Sequence, residues 1–347
     1  MTVRAENLPH FGKAGDVRTA RSLFAVTILV LAVLPVVAND YILLLAGQAA
    51  ILVIAVAGLN ILTGFTGLIS LGHAAFFAIG AYVTAVGAMS AGLPPAVALP
   101  LSVVTAALIG IVIGLPALRV RGFYLAVATL SANYLVIFLL ERDWLARYTG
   151  GVDGIEAPTA SIFGIAASSP AGRYYLVAPF AVLAVVLTLN LLRTRIGRAF
   201  IAIRDHDTSA QILGISLVRY KLMSFAVSAG FCGLAGSLWA YYFAALQPRD
   251  FGLLLSIQFL AALIIGGRGT VLGPVFGAIF IVFVPEGLKM LLSYVSGGDV
   301  LAQRYLGPTR EIVFGFLIIG FLIFESRGLA AICARIWSTL RRLAFRG

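Results

Sequence analysis

Residues 193–221 read RTRIGRAFIAIRDHDTSAQILGISLVRYK, a polar and basic stretch set between two long apolar runs. Arg193, Arg195, Arg198, Arg204, Arg219 and Lys221 stand in it against Asp205 and Asp207. An amphipathic segment of this size, alone in a chain that is otherwise apolar, suggests a surface for docking a partner in the aqueous phase. What flanks it decides the fold.

Hydrophobic residues make up 61% of the 347 positions and charged residues only 11%, with a mean hydropathy of +1.03. Such a composition excludes a water-soluble domain and describes a polytopic membrane protein. Since a crossing helix needs roughly 20 mostly apolar residues, the windows predict an all-α fold with about ten transmembrane helices. Their approximate spans are 20–38, 41–60, 67–90, 94–118, 122–141, 173–192, 219–243, 252–266, 270–292 and 309–325. The eighth is short and the second and third nearly fuse, so nine is the alternative count.

Lys and Arg set the orientation, because cytoplasmic loops retain positive charge. With the N-terminus inside, the inner segments hold 18 of the 25 basic residues: the N-terminal arm, Arg119 and Arg121, the 193–221 segment, Arg268 and the tail. Both termini are therefore expected in the cytoplasm (N-in/C-in). The organisation is an arm at 1–20, a transmembrane domain at 21–325 with an external loop at 142–173, and a basic tail at 326–347. The loop's Gly, Pro and Ser content predicts irregular structure with a short surface helix. Five helices on either side of that loop suit an inverted repeat, although no self-similarity proves one.

The net charge of +11 fits this asymmetry and the attraction of basic flanks to anionic membrane lipids. It does not form the aromatic-interleaved stripe of a nucleic-acid binder. The first apolar run lacks a small-residue cleavage pattern and reads as a retained helix. Cys232 and Cys333 have no metal spacing and read as packing residues.

Thirty-seven glycines suit a membrane bundle in which backbones approach closely. Gly110-x-x-x-Gly114 and Gly269-x-x-x-Gly273-x-x-x-Gly277 have the spacing of one helix face and are expected to pack helices, within the chain or between subunits. The stretch 58–82, GLNILTGFTGLISLGHAAFFAIGAY, is stranger. Asn60, Thr63, Gly64, Thr66, Gly67, Ser70 and His73 bring breakers and hydrogen-bonding groups into apolar surroundings. Two readings fit: a tight turn between helices, or a broken helix lining a translocation pathway. A helix starting near Gly67 would put His73 about 9 Å inside, either as a packed neutral imidazole or as a functional group. Asn133 and Gln258 are further pathway candidates, and Glu286 and Lys289 can neutralise one another at i, i+3 beside a kink at Pro285.

So few buried carboxylates argue against an ion-coupled pump. No phosphate-binding G-x-x-x-x-G-K-[ST] loop, catalytic triad or metal cluster is present in the sequence, so no catalytic residue, no metal and no cofactor of its own is expected.

Three stretches, at 58–82, 193–240 and 264–278 (IIGGRGTVLGPVFGA), carry a likeness. From about residue 20 onward the chain resembles the LivM-type permeases of branched-chain amino acid ABC importers. That resemblance implies a multi-pass subunit of the bacterial inner membrane that pairs with a second, LivH-like permease and two ABC ATPase subunits, which bind the ATP. It implies substrate delivery by a periplasmic or lipid-anchored binding protein; the substrate is a branched-chain amino acid or, in other relatives, urea, short amides or aromatic acids. It makes the central segment a coupling element: Asp207 where the family often has Glu, Ser209 and Ala210 at the small positions, and Gly214 ending the helix. Arg198 and Arg204 would pair with acidic groups of the ATPase. Ser209 for a typical Ala, and Arg268 in the glycine-rich turn, depart from the pattern. A stand-alone secondary transporter is the alternative from another class.

Overall fold

The computed structural model describes residues 37–295, apart from positions 119, 121, 158–160, 163–164 and 167–168, with scattered positions from 34 and up to 335. The N-terminal arm, most of the span at 20–38, the span at 309–325 as a continuous helix, and most of the basic tail lie outside the described residues.

Within them, eight helices are long and apolar enough to cross a membrane. They are α1 (Asp40–Leu59, continued by a wider π-turn, Asn60–Phe65), α2 (His73–Ala91), α3 (Pro95–Ala117), α4 (Phe123–Leu140), α6 (Pro170–Arg193), α9 (Leu217–Phe243), α10 (Leu253–Gly266, entered through a 3-10 turn at Pro248–Phe251) and α11 (Gly273–Val295). They correspond to the second to ninth expected spans. The loop at 142–173 holds the short helix α5 (Asp143–Thr149). The amphipathic segment folds as α7 (Arg195–Asp205) and α8 (Asp207–Ile212).

The described residues are overwhelmingly helical, as the all-α expectation has it, and the loop adds two short strand pairs. The loop's β1 (Ile155–Glu156) pairs antiparallel with β4 (Ala245–Leu246), and β2 (Ser161–Ile162) pairs with β3 (Ile165–Ala166). The first pair fastens the loop across the end of α9 opposite the α7–α8 hairpin, with Ala157 N–H donating to the Ala244 carbonyl.

Helix α9 is the axis of the bundle and packs on α1, α2 and α3. Its small residues make this possible. A Cβ added to Gly236 would lie 1.9 Å from the Phe77 carbonyl oxygen, and one added to Gly80 would lie 2.0 Å from that of Gly233. Bare backbones therefore touch where α2 crosses α9, the arrangement that drives helix association when no water is left to expel. Thr84 and Ser237 hydrogen-bond at the same crossing. The main core cluster, including Ile54, Leu59, Phe77, Tyr242, Phe259 and Leu263, joins α1, α2, α9 and α10. By contrast, α3 turns Val97, Leu101, Val104, Leu108, Val112 and Leu115 outward along one stripe.

Glycine spacing is resolved into two uses. Gly110 and Gly114 fit against Phe225 of α9, and Gly277 fits against the Ala262 carbonyl of α10, all within the chain. Gly269, expected on the same helix face as Gly273 and Gly277, instead precedes α11 in a turn with φ +73°. Lys289 Nζ lies 3.6 Å from Glu286 Oε2, which also accepts from the Tyr41 hydroxyl at 2.5 Å. Pro285 lies within α11.

Candidate functional site

Of the residues singled out in the sequence, those of the 193–221 segment, Asn60, Gly64, Gly67 and Gly269 gather at the end of the bundle that carries the α7–α8 hairpin. Thr194 starts α7, its hydroxyl oxygen accepting from Gly197 N–H, as an N-cap should. Gly197, Ala199, Phe200 and Ile203 face the bundle, while Arg198 and Arg204 are on the exposed side. His206 adopts an extended conformation between α7 and α8. Asp207 binds Lys221 Nζ at 2.7 Å, which ties α8 to the first turn of α9.

α8 ends at Gly214, with φ +84°. Gly214 N–H donates to the Gln211 carbonyl and Ile215 N–H to that of Ala210, each at 3.0 Å. This paired pattern is the Schellman stop, whose left-handed residue favours glycine. Ser209 is exposed. Ala210, expected to let a partner approach, is only 2% exposed and packs inward. The residues that do project are Ile212 and Leu213, 86% and 79% exposed. Sequence reasoning missed them, although two adjacent large aliphatics just before a stop glycine in a polar insertion were a readable signal.

The 58–82 stretch is neither a simple turn nor a helix that begins near Gly67. α1 widens at Asn60–Phe65, residues 66–72 are non-helical, and α2 begins at His73. Ser228, which His73 touches, is eleven residues beyond the start of α9, so His73 lies about 16 Å along that axis from its hairpin end. The expected depth of about 9 Å rests on a helix starting near Gly67, whereas α2 starts at His73 itself. The start of α2 is held by neighbours: Leu71 N–H donates to Thr129 Oγ1, and Ala74 N–H to Ser256 Oγ.

His73 itself is saturated. The Ser228 hydroxyl donates to the Gly58 carbonyl at 2.6 Å, so its oxygen accepts from His73 Nε2–H at 2.7 Å. That order leaves Nδ1 to accept from the Ser70 hydroxyl at 2.9 Å, the arrangement of a neutral imidazole. The geometry favours a packed histidine. Replacing His73 with Ala breaks this chain and leaves a cavity, a loss of about 2–4 kcal/mol. The expected result is a melting temperature lowered by several degrees with uptake per folded molecule within about twofold of wild type. Unchanged melting with lost uptake would instead make His73 part of the route.

Asn60 is likewise committed. Its Nδ2 donates to the Thr270 carbonyl at 2.7 Å, and its Oδ1 accepts from Gly269 N–H at 2.8 Å, so it clamps the turn between α10 and α11. Thr270 completes that turn, donating to the Gly267 carbonyl and accepting from Gly273 N–H. Arg268 at its tip is exposed. Gly64 and Gly67 meet Arg204, whose Nη1 donates to the Gly64 carbonyl at 3.2 Å. Arg204 therefore reaches inward toward the bundle. Between hairpin and bundle lies a cavity of about 140 Å³, lined by Gly67, Leu68, Leu118, Val120, Arg204 and Lys221 among others.

Asn133 sits on the buried face of α4, one turn beyond Thr129, and neither of its amide atoms has a hydrogen-bond partner among the described residues. Gln258 is half-buried on α10, two residues beyond Ser256. The break thus brings Asn60, Gly64, Gly67, Ser70 and His73 together, while Asn133 and Gln258 belong to helices that touch it through their neighbours. Among the described residues, no three His, Cys, Asp or Glu side chains are grouped to hold a metal ion.

Comparison with known proteins places this geometry in context. Residues 41–322 match the family described as branched-chain amino acid transport system / permease component. The chain is 34% identical to the high-affinity branched-chain amino acid transport system permease protein LivM of Escherichia coli (strain K12), over 89% of this chain and 75% of that protein. It is 33% identical, with the same coverage, to LivM of Salmonella typhimurium. It is 26% identical to the autoinducer 2 import system permease protein LsrC of Salmonella paratyphi B, over 66% of this chain and 63% of that protein. No solved structure matches the chain.

Proposed function

Because this multi-pass chain belongs to the branched-chain amino acid transport system permease component family, we propose that it is one of two permease subunits of an ATP-driven importer that carries branched-chain amino acids across the bacterial inner membrane. Its partners are a second, LivH-like permease, two cytoplasmic ABC ATPases that supply the nucleotide site, and a periplasmic or lipid-anchored binding protein that selects the substrate. The hairpin end faces the cytoplasm, in keeping with the basic residues gathered there, and both termini lie on that side. The chain does no chemistry on its cargo.

The observation that carries this reading is the α7–α8 hairpin, which ends in an outward Ile212–Leu213 pair beside exposed Ser209. Two adjacent aliphatic side chains this exposed, at the end of a polar hairpin, suit a surface that another protein covers. Arg198, exposed on α7, supplies charge for acidic groups on the ATPase. ATPase closure pulling on this hairpin would reset the helices behind it.

The test is affinity purification of the tagged chain from its native membrane in mild detergent, followed by mass spectrometry. ATP-binding subunits and a second permease in near-equal amounts are expected, and the reconstituted assembly should take up labelled leucine only with ATP and the binding protein. Recovery of the chain alone, under conditions that keep a control importer intact, would favour the secondary-transporter reading.

A further inference from the structure

Arg204 lies on the exposed side of α7, yet its guanidinium turns toward its own membrane helices. Its Nε donates to Asp205 Oδ1 at 3.1 Å, and Nη2 lies at the same distance from that oxygen. This contact fixes one edge of the guanidinium and aims Nη1 at the Gly64 carbonyl, 3.2 Å away. The Gly64 carbonyl belongs to the last turn of the α1 extension, where helix carbonyls run out of N–H partners and a cation is favoured.

Three chain segments converge under that side chain. A Cβ placed on Gly67 would lie 3.2–3.5 Å from Cγ, Cα and Cβ of Arg204, so the 66–72 segment runs directly beneath it. A Cβ on Gly269 would lie 3.1 Å from Nη1 and 3.2 Å from the Gly64 oxygen. Asn60 binds both the Gly269 N–H and the Thr270 carbonyl. The end of α1, the start of the climb to α2 and the α10–α11 turn therefore form one joint. Arg204 carries the hydrogen bond that runs from α7 into it.

We infer that Arg204 is a transmission residue: it passes displacement of the hairpin to the broken α1–α2 segment and the α10–α11 turn, and it does not serve as a docking contact for the ATPase. This inference rests on the importer reading above and assigns the step within it that links ATP turnover to movement of the membrane helices. Lysine can keep a hydrogen bond to Gly64 but lacks the fork that Asp205 orients.

The experiment uses the whole importer with its ATPase subunits and binding protein in liposomes, recording substrate taken up per ATP hydrolysed. Arg204→Ala is expected to retain the ATPase subunits through purification while uptake per ATP falls about tenfold, and Arg204→Lys should recover part of the loss. A cysteine pair supplies the second measurement. The 3.5 Å separation between a Cβ on Gly67 and that of Arg204 falls in the disulfide range; because φ +80° at Gly67 strains any side chain, Gly67→Cys alone is the baseline, and Gly67→Cys with Arg204→Cys should be uncoupled when reduced and return to that baseline when oxidised. Normal uptake per ATP in Arg204→Ala, or a cross-linked form that stays uncoupled, would overturn the inference. Loss of the ATPase subunits from Arg204→Ala alone would make Arg204 a docking residue and leave the importer reading standing. Absence of those subunits from the wild-type assembly would instead remove the importer reading itself.

Discussion

Replacing Gly236 with Val is expected to abolish the folded transporter rather than to tune it. The first atom added, Cβ, would fall 1.9 Å from the Phe77 carbonyl oxygen and 3.0 Å from Ala81 N. Both are backbone atoms of α2, so no side chain can rotate away. α9 cannot retreat either, because its other faces pack on α1 and α3. The two helices would have to separate at their crossing, which also carries the Gly80–Gly233 approach and the Thr84–Ser237 hydrogen bond. Overpacking of a well-packed core costs about 1–3 kcal/mol, occasionally more, and here the two valine methyls follow a backbone collision, so the upper end applies. The yield of monodisperse protein on size exclusion should fall by about tenfold or more, since each 1.4 kcal/mol is a factor of about ten. Gly287→Ala, whose new Cβ meets nothing within 4 Å, should behave as wild type. Wild-type elution and melting of Gly236→Val would refute the crossing as described.

The spans were legible because they follow from a one-dimensional property. Eight apolar windows read as helices, and the boundaries of 94–118 and 122–141 moved by only a residue to 95–117 and 123–140. What the sequence could not convey was contact at long range. His73 looks like an isolated ionisable group until Ser228, 155 positions away, supplies its partner. Asn60 looks like a turn former until Gly269 and Thr270 arrive from the far end of the chain. β1 and β4 have two residues each, too few to show an alternating pattern.

Within the hairpin the sequence conveyed composition but not facing. Gly214 was readable as a stop because a left-handed residue after a short polar helix has few other candidates. A small residue such as Ala210 in a coupling element suggests close approach by a partner. Yet smallness serves close packing on either side of a helix, and here the side that needed it was the bundle. Asp207 shows no partner in the local sequence, and Lys221, fourteen positions on, takes its carboxylate at 2.7 Å. That ion pair and the inward Ala210 hold α8 in place, which leaves the aliphatic pair at its end free to serve as a rigid probe.

Changing Ile212 and Leu213 together to Asp should therefore separate the chain from its ATPases without unfolding it. At 86% and 79% exposure neither side chain contributes to the core, so the melting temperature of the isolated chain should stay within a few degrees of wild type, as surface changes of within about 0.5 kcal/mol allow. On docking, each would bury most of an aliphatic side chain, about 1.5–3 kcal/mol apiece, and a carboxylate in the same pocket adds an uncompensated desolvation cost. Together these predict an affinity loss of about a hundredfold or more, seen as ATPase subunits missing from the purified assembly and ATP-dependent uptake reduced to background. Gly214→Leu should act in the same direction but more weakly. It forces a branched residue into φ +84° at about 1–2 kcal/mol and tilts the pair instead of removing it, so loss of substrate-stimulated ATP hydrolysis with normal membrane insertion is its expected signature. Retention of the ATPases by the double Asp variant would show that the hairpin is covered by something else and would return the docking role to the charged face of α7, where Arg198 is exposed.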